Sequence, residues 1–99
     1  MAINLYRNRD NEVTMTLLNN EVPVSMSAVT KLEFTGNLLS FNSVDNPEVF
    51  IFGVDSVRLR LGLLDKPPGK YHVALIVYFP TKPLGIVWEE SIELIFEEI

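Results

Sequence analysis

Leu64-Asp65-Lys66-Pro67-Pro68-Gly69-Lys70-Tyr71-His72-Val73 is the stretch on which the fold turns. Asp65 to Gly69 combines a turn-forming acid, two prolines with fixed φ and a glycine, so the chain must bend there. From Lys70 to Phe79 runs the longest series of β formers in the chain. Tyr71, Val73, Leu75, Val77 and Phe79 occupy one face of that strand, and His72, Ala74, Ile76 and Tyr78 the other.

Working outward, period two continues in both directions. Val13, Met15 and Leu17 alternate with Glu12, Thr14 and Thr16, the pattern of a half-buried strand. Asn19-Asn20-Glu21 reads as a turn, and Val22-Pro23-Val24 as an extended edge segment. Leu32 and Phe34 mark a strand that Gly36-Asn37 breaks; Leu39 and Phe41 mark a short one that ends at Asp45-Asn46-Pro47. In Glu48–Phe52, Val49 and Ile51 point one way, Phe50 and Phe52 the other. Val57, Leu59 and Leu61 alternate with Ser56, Arg58 and Arg60, so Leu59 to Leu64 is read as strand rather than a turn of helix. Pro80 to Gly85 reads as a second turn-rich connection. Trp88, Ile92, Leu94 and Phe96 mark the last strand, with Glu89, Ser91, Glu93 and Glu97 on its other face. Seven or eight short strands with turns between them predict a sandwich or a barrel, in a single domain over residues 1–99.

Composition narrows the function classes. The 99 residues are 47% apolar and 21% charged, enough to build a core. A formal net charge of −5 disfavours a non-specific grip on phosphate, so no nucleic-acid partner is expected. The absence of cysteine removes disulfides, thiol nucleophiles and cysteine-ligated metals. No stretch approaches the ~20 apolar residues of a membrane-spanning helix. Met1 to Asp10 lacks the order of a secretory signal, so the chain is expected to be made in the cytoplasm without a targeting label.

The turn followed by Gly69-x-Tyr71-x-Val73 resembles the tyrosine corner of immunoglobulin-like sandwiches, in which the phenol closes a hydrogen bond to the backbone. Gly69 and Tyr71 are the residues that would define it. The whole chain resembles something more particular. A charged start and alternating strand (Arg9 to Leu17), a Val22-Pro23-Val24-Ser25-Met26 step and the strand Ala28 to Phe34 precede the Pro-Gly-x-Tyr corner and a final acidic strand. This pattern is similar to the immunoglobulin-like N-terminal domain of phage baseplate upper proteins and related short tail or head accessory proteins. The resemblance implies an all-β, immunoglobulin-like sandwich of seven or eight short antiparallel strands. It also implies a structural part of a virus particle, made in a bacterial host, without catalysis.

The chemistry-bearing residues give little to set against that. His72 is the one possible imidazole base and lies in a long strand, away from any nucleophile elbow. Glu89, Ser91 and Glu93 share a face that would meet a hard cation, but charges on a terminal strand also discourage edge-to-edge pairing. Arg58 and Arg60 offer an anion site or cross-strand ion pairs. Tyr6, Tyr71, Tyr78, Trp88 and the six phenylalanines offer a sugar-stacking platform or a core. No catalytic, cofactor-binding or metal-binding residue is assigned.

One feature remains. Glu48–Phe52 and Lys70–Phe79 are apolar on both faces, whereas a two-layer sandwich buries one. Phe50, Phe52, His72, Ile76 and Tyr78 are therefore the expected interface residues, unless a terminal segment covers them. The expected partners are copies of the chain or other virion proteins. The alternatives are a carbohydrate-binding or adhesion module, and a small phage assembly chaperone or inhibitor.

Overall fold

The computed structural model describes residues 2–7 and 9–98. They form an all-β fold. The strands are β1 (Ala2–Tyr6), β2 (Glu12–Met15), β3 (Leu18–Asn19), β4 (Val22–Pro23), β5 (Lys31–Thr35), β6 (Ser40–Asn42), β7 (Phe50–Phe52), β8 (Val57–Arg60), β9 (Gly69–Phe79) and β10 (Lys82–Glu97). Three single 3-10 turns, Met26–Ala28, Pro47–Val49 and Leu61–Leu63, interrupt them.

Two sheets enclose the core. One has the order β1-β10-β9-β5-β6 and the other β2-β8-β7, while β3 and β4 form a separate hairpin. The β3–β4 hairpin turns on Asn20 and Glu21, both at positive φ (52° and 66°), the geometry that matches the twist of a two-residue connection. Asn42 closes the turn after β6: its Oδ1 accepts from the amides of Val44 and Asp45 at 2.9 and 2.8 Å.

The alternating residues meet between the sheets. Leu32, Phe34, Val73, Leu75, Val77, Ile92, Leu94 and Phe96 from the larger sheet, and Phe50, Val57 and Leu59 from the smaller, are buried. Phe34 and Phe41 stack at 4.8 Å, and Phe50 crosses from the opposite sheet to within 6.2 and 5.9 Å of their centroids. Each such side chain contributes about 1.5–3 kcal/mol when fully buried. Tyr71 stands edge-on to Phe96 at 5.2 Å and donates its hydroxyl proton to the carbonyl of Pro67 at 2.8 Å.

Several expectations are corrected. The described residues hold ten strands rather than seven or eight. They are not all antiparallel: β1 runs parallel to β10, Ala2 opposite Glu93 and Tyr6 opposite Glu97. They are not all short either, since β9 has 11 residues and β10 has 16. The turn expected over Pro80 to Gly85 is confined to Pro80-Thr81, because β10 restarts at Lys82 opposite Phe79. Leu61–Leu63 is a 3-10 turn, not strand, since Leu61 and Gly62 bond Asn11 rather than continuing the ladder. In Glu48–Phe52 the strand begins only at Phe50, with Val49 in a 3-10 turn, so both residues fall inside the core.

Candidate interaction surfaces

The sequence named five interface residues, and the fold divides them. Phe50 is 6% exposed and belongs to the core, which removes it from any docking surface. Phe52, stacked 6.3 Å from it, lies at the end of β7 and is 45% exposed. His72, Ile76 and Tyr78 stand on the outer face of the five-stranded sheet, opposite in direction to the buried Val73, Leu75 and Val77. Phe52 and the Ile76–Tyr78 pair therefore belong to different sheets and share no sheet face.

The outer face is built by register. Glu33 of β5 and Val87 of β10 flank Ile76, Lys31 flanks Tyr78, and Glu93 flanks His72. The Tyr78 hydroxyl donates to Glu33 Oε1 at 2.7 Å, and Lys31 Nζ sits 4.3 Å over the same ring. The bond to the Glu33 carboxylate holds the Tyr78 phenol above its ordinary pKa, with partial burial and the nearby charge adding to it. Gly85 of β10, at φ +80°, lies directly against Ile76 and Tyr78: a Cβ there would stand 2.5 Å from Ile76 Cγ2 and 2.9 Å from Tyr78 Cε2. His72 Nε2 is 3.5 Å from Glu93 Oε2, and its side chain is exposed. The described terminal residues do not cover this face, because β1 adds to the edge of β10 instead of crossing the sheet.

Part of the exposed apolar surface lies toward one end of the strands, where β2 and β7, both antiparallel to β8, finish together. The segment between β2 and β5 is tied there to the connection after β7 by the Met26 amide bond to Val54 O at 2.9 Å and to the end of β9 by the Thr30 amide bond to Tyr78 O at 2.8 Å. The connection after β6 starts beside β5 through the Ser43 amide bond to Leu32 O at 3.0 Å. Of the twelve large apolar residues that are exposed among those described, Leu18, Val22, Val44, Phe52, Val54 and Leu84 lie in or beside these connections. Val54 is 79% and Leu84 92% exposed. Val87, 57% exposed, lies beside Ile76 on the outer sheet face. Alternation alone misses this grouping, since Val44 and Val54 come from two separate connections and Leu84 from the start of β10.

The other candidates take definite places. Arg58 and Arg60 approach Glu12 on the neighbouring strand at 3.8 and 4.0 Å, the cross-strand pairing option. The face proposed for Glu89, Ser91 and Glu93 does not exist as such. Irregularities between Val87 and Glu89 and between Glu89 and Ile92 put Glu89 opposite the inward Leu75, while Glu93 sits opposite the outward His72. Among the described residues, no three histidine or acidic side chains gather closely enough to hold a metal ion. Tyr71, Phe79 and Trp88 pack half-buried against the core, leaving Tyr6 and Phe52 as the more exposed rings. No helix among the described residues is long and apolar enough to cross a membrane. No known protein family, curated protein or solved structure matches the chain.

Proposed function

We propose that the chain is a non-enzymatic, immunoglobulin-like interaction module, a phage tail, baseplate or head accessory protein. The strand order supports the immunoglobulin-like reading. The smaller sheet, β2-β8-β7, follows the order B-E-D, and β10-β9-β5-β6 follows G-F-C-C′, with β1 added beside the last strand. The Tyr71 bond to Pro67, four residues back at the start of the sixth strand in that order, supports it again.

The observation that carries the interaction reading is the apolar end formed by Phe52, Val54, Leu84 and their neighbours. In immunoglobulin-like domains, loops at one end of the sandwich are a natural recognition surface. An exposed apolar patch rimmed by polar groups is what a protein partner buries. Repetition of the module by particle symmetry would multiply weak contacts through avidity.

Mass spectrometry of purified virus particles from the source tests the proposal. A fixed copy number of this chain per particle is the expected result. Its absence from intact particles would remove the virion role and move weight to an assembly chaperone or a free binding module.

A further inference from the structure

The two sheets do not close against each other along one side. There β2 is the outermost strand of the smaller sheet. On the opposite lip, β1 covers β10 only from Glu93 to Glu97, so Lys82 to Ile92, paired with β9 on one edge, has no strand on the other. Between these lips runs an apolar groove in two adjoining parts of about 260 and 200 Å³. Met15, Thr16 and Ile92 line both parts. Leu18, Leu75 and Trp88 are among the residues that join them in the first, and Ile3, Val13 and Leu59 in the second. An apolar cavity of about 150 Å³ holds a benzene-sized group, so each part has room for one large side chain.

The two lips differ. β10 carries bulges on either side of Glu89 and the exposed pair Glu89-Glu90, features that blunt an edge. β2 is less protected: after Glu12 at its start, Val13 to Met15 has no charge, proline or bulge. A weakly protected strand edge beside an apolar slot is the geometry of strand addition, where backbone bonds give affinity and alternate side chains fill pockets.

Charge selects the occupant. Glu89 lines the groove, Glu90 follows it, and neither forms an ion pair or side-chain hydrogen bond among the described residues. A second copy that pairs edge to edge through this same place brings its own acidic β10 or Glu12-bearing β2, and the chain as a whole carries a net charge of −5, so charge favours a basic partner over a copy. We infer that the β2 edge and its groove accept an extended segment of a different protein, with apolar residues at every second position and lysine or arginine toward Glu89 and Glu90. This site adjoins the apolar end at Leu18, which lines the first part of the groove, and does not depend on a virion role.

The test uses the whole chain and two probe peptides: KVTVRVTK, blocked at both ends, and its counterpart with glutamate at the three basic positions. Before peptide is added, some amides within Glu12–Leu17 should exchange with solvent far faster than those of β9. The basic peptide should shift the emission of Trp88, the chain's one tryptophan, saturably and slow exchange at those amides. The acidic peptide should bind at least about tenfold more weakly. The surface double variant Glu89→Lys/Glu90→Lys should reverse the preference while leaving the free protein's spectrum intact. Full protection of β2 in the free chain, no saturable shift, equal binding of both peptides, or protection confined to another edge would each overturn the inference. Loss of partner capture by an apolar-end variant that still binds the peptide would separate the two sites.

Discussion

The Tyr71 hydroxyl donates to the Pro67 carbonyl at 2.8 Å, and this bond ties the bend before β9 to the strand that follows it. The two prolines limit the bend's freedom, Gly69 supplies φ +155° between them and the strand, and Phe96 holds the phenol ring edge-on. Tyr71→Phe keeps the ring and removes the bond. It should lower stability by about 1 kcal/mol. In urea the midpoint should fall with the slope unchanged; an unaltered midpoint would show that the hydroxyl contributes nothing to the corner.

Gly85 is required twice over. Its φ of +80° disfavours any side chain, and a Cβ would collide with Ile76 and Tyr78. Gly85→Ala should therefore cost at least about 2 kcal/mol, more than the 1–2 kcal/mol of the backbone conformation alone. A loss below about 1 kcal/mol would mean that the irregular stretch from Lys82 to Ile86 relaxes to admit the methyl.

The corner and most core faces were legible because they rest on local chemistry. Pro-Pro-Gly bends the chain wherever it occurs, and the alternation in β9 survives folding because Ala74 to Tyr78 pairs in unbroken register against β5. Phe50 was misread because period two was run through Val49, which lies in a 3-10 turn before the strand. Glu89 and Glu93 were misread because extra residues in β10 shift parity, and a bulge leaves no clear mark in an apolar-polar pattern. The parallel place of β1 was out of reach, since Ala2 to Tyr6 pairs with the far end of the chain. The apolar end was invisible for the same reason: its members are isolated in sequence and joined only by folding.

The β3–β4 turn holds an avoidable strain. A non-glycine residue at positive φ is unfavourable, and asparagine tolerates it better than glutamate. Asn20 and Glu21 both adopt it. Glu21→Gly makes the Asn-Gly pair that this turn favours. After the entropy cost of glycine it should raise stability by about 0.5 kcal/mol, read as a higher urea midpoint. A decrease would show that the Glu21 side chain contributes elsewhere.

Tyr78 should titrate later than an ordinary tyrosine. Its phenol donates to the Glu33 carboxylate, which favours the protonated form in the folded chain. The folded value is raised, so the resulting stabilisation is fully present below the unfolded value near 10. It is lost as pH rises through the folded value, because over that window the native state binds more protons than the unfolded chain. Absorbance titration near 295 nm should resolve a late phenol step for Tyr78. Glu33→Gln should move that step back toward the ordinary value. Retention of the late step in that variant would assign it to burial instead.

Leu84 and Phe50 separate surface from core. Leu84 is 92% exposed, so Leu84→Glu should change stability by no more than about 0.5 kcal/mol. Its effect should appear instead as reduced self-association or partner capture by a folded chain, measured by solution mass and pull-down. Phe50 is 6% exposed within 6.2 Å of Phe34 and 5.9 Å of Phe41, so Phe50→Glu would bury a charge among aromatic rings and should abolish cooperative folding. Ile76→Glu occupies the middle ground: it sets a second carboxylate beside Glu33 on the adjacent strand, and like charges in register oppose each other. If Leu84→Glu leaves mass and capture unchanged while Ile76→Glu, still folded, reduces them, the outer sheet face rather than the apolar end is the docking surface. If neither variant alters association, contact through both surfaces is excluded.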